Sequence, residues 1–312
     1  MTKFVLAMSA VMALTACDKS GSSGSGGSGG SVDLLASVPA SSNIVFGGDF
    51  LKVEKMMGEL AGKMVEGNKG MKAYVDCFTS TARDLKVAGG VKISNPPTMT
   101  LVMTGIGVSE IEKCATEAGF KVAKDADGKF ITIETAMNGL GKQQSYLQLA
   151  SGALYSEQSI SRHAAPVARK DLEVNAANAA STNALADKSL KGLIDKADKS
   201  KMLWFAGNGA GTSIGTKVGE IYGGLDVNPD IALSIDVQIT DPMMLTMVDG
   251  YMAKAKDLAG NFGDDIKAII ETLDYKKDND RVHFGVKVTQ DQLKGMMKQF
   301  GGMFRMGGGG GM

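Results

Sequence analysis

Aromatic residues make up only 6% of the 312-residue chain, which holds one tryptophan, two histidines, three cysteines and six prolines. Two histidines, His163 and His283, cannot supply the imidazole cluster of a zinc site. No Cys-x-x-Cys occurs, and nothing adjacent to the cysteines would lower a thiol pKa, which argues against a catalytic thiol. An excess of one charge is missing as well, since 34 Lys and Arg balance 34 Asp and Glu. In residues 188–201 lysine alternates with aspartate, as on a solvated helix face, so no nucleic-acid partner is expected. The N-terminal apolar run, residues 4–14, is shorter than the roughly 20 residues that span a bilayer. What the chain does have is glycine, 41 residues, with clusters in 21–30 and 301–311 that belong to tails rather than to a core. With 44% apolar residues, the remainder suffices for one large domain or two modest ones.

Lys3 followed by the short apolar run reads as a processing signal over residues 1–16. The run ends in Leu14-Thr15-Ala16-Cys17, and this segment resembles the lipobox of bacterial lipoproteins, a leucine and two small residues before a cysteine. The resemblance covers this segment alone. It implies that Cys17 receives a diacylglyceryl group and becomes the mature N-terminus, holding the protein to a membrane of the bacterial cell envelope, facing the periplasm or the outside. Acyl chains contribute about 0.8 kcal/mol per buried CH₂, so two or three of them make a stable anchor. Asp18 is similar to the residue that retains lipoproteins in the inner membrane of enteric bacteria; the choice between inner and outer membrane stays open. Residues 17–32 form the anchor and tether. Thirteen of them, KSGSSGSGGSGGS, behave as a flexible coil with a reach of about 20 Å.

Three blocks recur in order along the body. SNIVFGGDF (42–50) matches KMLWFAGNG (201–209). Gly89-Gly90 followed by Asn95-Pro96 and TMTLVMTG matches Gly223-Gly224 followed by Asn228-Pro229 and DIALSIDVQ. FKVAKDADGKFITIET (120–135) matches DYKKDNDRVHFGVKVT (274–289), each a hairpin with an acidic turn. Helical period appears between the blocks, in Phe50, Val53, Met57, Leu60 and Met64, in Tyr74, Cys77/Phe78, Thr81 and Leu85, and in Met244, Val248, Tyr251 and Ala255. The expected fold class is α+β, two related halves over 33–163 and 184–300, each a largely antiparallel sheet with helices on one face. An extra hairpin lies at 146–156 in the first half. Residues 164–183, rich in Ala and Asn without period, read as a linker, and 301–312 as a Gly/Met-rich disordered tail.

Cys77 and Cys114 fall together in the first half and are absent together from the second. In an exported protein such a pair suits a disulfide, which over a 37-residue separation stabilises by about 4 kcal/mol in the chain-entropy model.

The remaining chemistry is thin. Gly211-Thr212-Ser213-Ile214-Gly215 fits the G-x-S-x-G nucleophile elbow, but the one downstream histidine, His283, sits mid-strand, and a glycine-rich loop using serine as a turn or cap residue is the plainer explanation. Residues 123–134 match an EF-hand loop at Asp125, Asp127, Gly128 and Glu134 but place Ala123 at the first ligand position; a solvated hairpin turn explains the carboxylates. Met244/Met247, Met296/Met297 and Met303/Met306 bring thioethers together in a manner that could hold Cu(I), or that merely packs. No catalytic residue, cofactor or metal is assigned. The expected role is non-catalytic binding or protein interaction, with a copper or calcium carrier and a Ser213 hydrolase as alternatives. Expected partners are the membrane through Cys17 and an envelope protein or small apolar ligand. The candidate location is a cleft between the halves near Gly47/Gly48 and Gly207/Gly209.

Overall fold

The computed structural model describes residues 31, 33–49, 69–137, 140–160, 165–209, 217–227, 230–259 and 264–292. The signal segment, Cys17, most of the tether, the 50–64 helical stripe, Ser213, Asn228-Pro229 and the C-terminal methionines lie outside the described residues. The chain divides into two compact units, residues up to Gly207 and residues from Asn208.

In the first unit the strands are β1 (Ile44–Asp49), β2 (Lys86–Lys92), β3 (Thr98–Thr104), β4 (Lys121–Lys124), β5 (Phe130–Met137), β6 (Leu140–Gln148), β7 (Leu154–Ser159) and β8, which starts at Leu203. Their order is β8-β1-β2-β3-β7-β6-β5-β4, every neighbouring pair antiparallel. The helices are α1 (Lys69–Thr81), α2 (Val108–Glu117), α3 (Arg169–Ser181) and α4 (Lys188–Lys196).

The helices do not share one face, and the one-face expectation is corrected here. On one side Val108, Ile111 and Ala115 of α2 join Leu101, Ile131 and Leu154 in the core. Alternation turns Val102, Tyr155 and Leu147 to the other side. There α3 lies against the sheet, its Asn175 Nδ2 donating to Glu157 of β7 at 2.9 Å. Strands covered on both faces hold few polar residues, which is why VAGGV in β2 and MTLVM in β3, with Thr100 the one polar side chain, are buried throughout.

The linker expectation for 164–183 is corrected by the same helix. Leu172, Ala176 and Ala179 are spaced four and three apart and all are buried. Next, α4 opens on Asp187, whose carboxylate accepts the Ser189 and Leu190 N–H groups at 2.9 and 3.0 Å and is held below its usual pKa by those bonds. Leu190, Leu193 and Ile194 then form its buried stripe. The tether also ends earlier than expected, because Ser31 is buried and its hydroxyl accepts the Trp204 indole N–H at 3.3 Å.

In the second unit β9 (Val218–Val227), β10 (Ile231–Ile239), β11 (Asp274–Asp278) and β12 (Arg281–Val288) pair in the order β9-β10-β12-β11, all antiparallel. Two helices, α5 (Pro242–Ala259) and α6 (Asp264–Glu271), lie between β10 and β11 in the chain. Register places Ile235 opposite Phe284 and Val237 opposite Val282 on one face, with Asp236 opposite His283 on the other. The apolar face turns to α5, because Tyr275, stacked near Phe284 at 5.4 Å, donates its hydroxyl hydrogen to Asp249 of that helix. Cover is thin: every described residue of β10 except Ile239 is half-exposed.

Candidate functional site

Cys77 of α1 and Cys114 of α2 form a disulfide, with Cα atoms 5.3 Å apart. The bridge lies inside the helical layer rather than at an opening. Cys114 is fully buried, Thr81 Oγ1 lies 3.9 Å from each sulfur, and Tyr74 of α1 stacks at 5.4 Å near Phe120, which follows α2. Burial pushes the Tyr74 hydroxyl well above its ordinary pKa, with neighbouring Tyr146 adding to the shift. These are features of a packed core, not of a reactive thiol.

The acidic β4–β5 turn does not assemble a calcium loop. Asp125 and Asp127 sit together at the turn, but Glu134 faces Lys121 near the other end of the ladder, its carboxylate 3.6 Å from that amine. The turn carboxylates already have a cation. Arg169, the first residue of α3, donates to Asp127 at 2.6 and 2.8 Å and to Asp125 at 3.0 Å, and reaches its own helix neighbour Glu173 at 2.8 Å. The Arg169 guanidinium, helped by the Lys129 N–H, draws the Asp127 carboxyl down to about 2. Charge that a calcium ion would use is therefore neutralised within the chain. Sequence reasoning missed Arg169 because it lay in the presumed linker, 42 residues from Asp127, with no local pattern to join them.

His283 stands on the polar face of the second unit's sheet, its Nδ1 3.1 Å from Asp236 and its Nε2 4.0 Å from Asp274. On the same face Arg281 donates to Glu220 at 2.6 Å, and Gln238 donates to Asp280 at 2.7 Å. These are cross-strand and turn pairings of a solvated sheet face. Among the described residues no group of three or more His, Cys, Asp or Glu is placed to hold a metal, and no helix is long and apolar enough to cross a membrane.

The glycines expected at a cleft are packed in strands. Gly47 and Gly48 of β1 face Trp204 and Leu203 of β8, and Gly207 faces Ile44. A Cβ at Gly47 would lie 2.6 Å from the Trp204 ring, and one at Gly48 would lie 2.3 Å from the Met202 carbonyl oxygen. Glycine is used here because the neighbouring strand and its indole lie flat against the β1 backbone. Gly209, in the second unit, is buried and donates its N–H to the Gly219 carbonyl at 2.9 Å.

Of the Met244/Met247 pair, Met244 is half-buried and Met247 of α5 is largely exposed, as is Met243 beside them. Tyr251 is also exposed, although the sequence placed it in the inward stripe; Met244, Val248 and Ala255 keep that stripe, half-buried. Comparison of the chain with protein-family models, with curated proteins and with solved structures returns no match.

Proposed function

We propose that this chain is an exported bacterial lipoprotein, anchored through an acylated Cys17, whose α+β body serves a non-catalytic binding or protein-interaction role in the cell envelope. The observation that carries the reading is the Cys77–Cys114 disulfide. Such bonds persist in oxidising compartments and are rare in the cytosol, which agrees with a leader ending in Leu14-Thr15-Ala16 immediately before Cys17. Two pairings add weight on the binding side, since Arg169 is engaged by Asp125 and Asp127, and His283 by Asp236. Intact-mass measurement of membrane-extracted protein tests it. The expected species begins at Cys17 and carries diacylglycerol, and Cys17→Ser abolishes both; a chain beginning elsewhere without fatty acid would overturn the anchor.

The body is further read as two copies of one unit, and three agreements of position support the duplication. Gly90 faces Thr100, ten residues on, and Gly224 faces Ser234, also ten on. β10 pairs with β12 directly, whereas β3 and β5 are separated by β7 and β6, as an inserted hairpin would leave them. β1 and the matching strand β8 pair with Phe46 opposite Phe205, each the third residue of its strand, so that the strand pair has local two-fold symmetry. The last hairpin differs in length, since the β4–β5 turn is longer than the two-residue β11–β12 turn.

A further inference from the structure

We infer that the outward face of α5 is a self-association surface, on which a second copy of this chain packs its own α5 in antiparallel fashion. A helix with one apolar face buries it against its own sheet and turns charge to water. α5 departs from that rule. Opposite the half-buried Met244, Val248 and Ala255, the residues at three- and four-residue spacing on the other side are Met243, Thr246, Met247, Gly250, Tyr251, Lys254 and Asp257, all exposed. Met243 is 74%, Met247 53% and Tyr251 62% exposed, the highest values among the described large hydrophobic side chains apart from Val174.

The shape of this face points to a helix as its occupant. Met247, Gly250, Tyr251 and Lys254 stand at i, i+3, i+4 and i+7, the four corners of the hole into which a knob from a facing helix fits. Its floor is Gly250, where an added Cβ would meet nothing within 4 Å. Glycine is a poor helix former, and no packing among the described residues requires it there. The knob that fits is on the same face. In an antiparallel pair centred between residues 248 and 249, Met247 of each copy lies over Gly250 of the other, so every contact is made twice, as an isologous interface demands.

Charge enters this pairing with both signs: the exposed Asp257 of the same stripe meets position 240 of the other copy, and Lys254 stands between that carboxylate and the partner helix's start. The pairing brings Lys254 of each copy to the start of the other's α5, where Asp241 carries a carboxylate that accepts the Met243 N–H at 2.9 Å. Lys254 forms no ion pair among the described residues and is free to bridge. The area is small. The three large side chains expose on the order of 400 Å² per copy, and with Thr246, Gly250 and the Lys254 stem the pair reaches the lower edge of specific interfaces, about 1,000 Å² in total. A reversible dimer is what such an area supports.

Sedimentation equilibrium of residues 17–312 carrying Cys17→Ser, produced without the apolar leader and with no free thiol to cross-link copies, tests the inference over roughly 1 to 100 µM. The expected result is a concentration-dependent monomer–dimer equilibrium that weakens with added salt. Gly250→Leu fills the hole without touching the chain's own packing, and is expected to weaken association at least ~10-fold while leaving the thermal midpoint unchanged or raised. Lys254→Glu, which sets like charges against Asp241, is expected to weaken it in the same direction. A chain that stays monomeric throughout overturns the inference, as does a dimer indifferent to both substitutions. A fall in the thermal midpoint of Gly250→Leu would mean that the chain's own residues cover this face, and would overturn it too.

Discussion

At Gly48 a single hydrogen decides whether two strands can close. The Met202 carbonyl lies where a Cβ would stand, and being backbone it cannot swing aside, whereas at Gly47 the obstacle is the Trp204 ring. Gly48→Ala is expected to cost at least about 3 kcal/mol and Gly47→Ala about 1–3 kcal/mol, to be compared by urea denaturation. Arg169 sets a second expectation at this scale. Because Asp127 is held at about 2, its ion pair stabilises the fold above the ordinary carboxylate range, and that stability is lost as pH falls from about 4 toward 2. In Arg169→Gln the Asp127 midpoint should rise toward its ordinary value, read by NMR titration of the carboxyl carbon. A midpoint that stays near 2 would mean that the Lys129 N–H, not the guanidinium, sets it. Neither residue's role could be read in the sequence: Arg169 meets its partners across some 40 residues, and Gly48 meets a strand whose position only the fold supplies.

Elements differed in how plainly the sequence announced them. Hairpins β9–β10 and β11–β12 were visible because one face meets solvent and alternation follows. So were the Cys77 and Cys114 pairing, which needed only counting, and the helical character of α4, read from its alternating lysines and aspartates, although its buried Leu190, Leu193 and Ile194 were not. α3 was not visible. Two of its three buried positions are alanine, so its inward stripe scarcely differs from its outward side, and the periodic signal is lost. The second helical layer was missed with it. Leu172 is the one large side chain of that stripe and is fully buried. Leu172→Ala is expected to destabilise the first unit by about 2–4 kcal/mol, and circular dichroism with denaturant would show it. A change under 1 kcal/mol would mean that α3 adds little to the fold.

On the scale of the whole molecule the two units are unequally filled. The first has a sheet covered on both faces and side chains such as Val102, Tyr155 and Ile131 with no exposure, while the second leaves most of β10 half-exposed. Local opening follows burial. Amide hydrogens of β10, such as that of Ile235, are expected to exchange at least ~10-fold faster than those of β3, such as that of Val102, under native conditions; equal rates would show that the two units open as one. The outer strands of each sheet's far end, β4 and β11, are short and carry Lys121, Lys124, Lys276 and Lys277, a composition that discourages edge-to-edge pairing of copies.

The lone tryptophan turns the join of β1 and β8 into an optical gauge. Its indole is shut away from water, presses on Gly47 and is bonded to Ser31. Ultraviolet emission excited at the red edge therefore comes from one place in the protein, and a shift to longer wavelength would report water reaching the seam between these two strands.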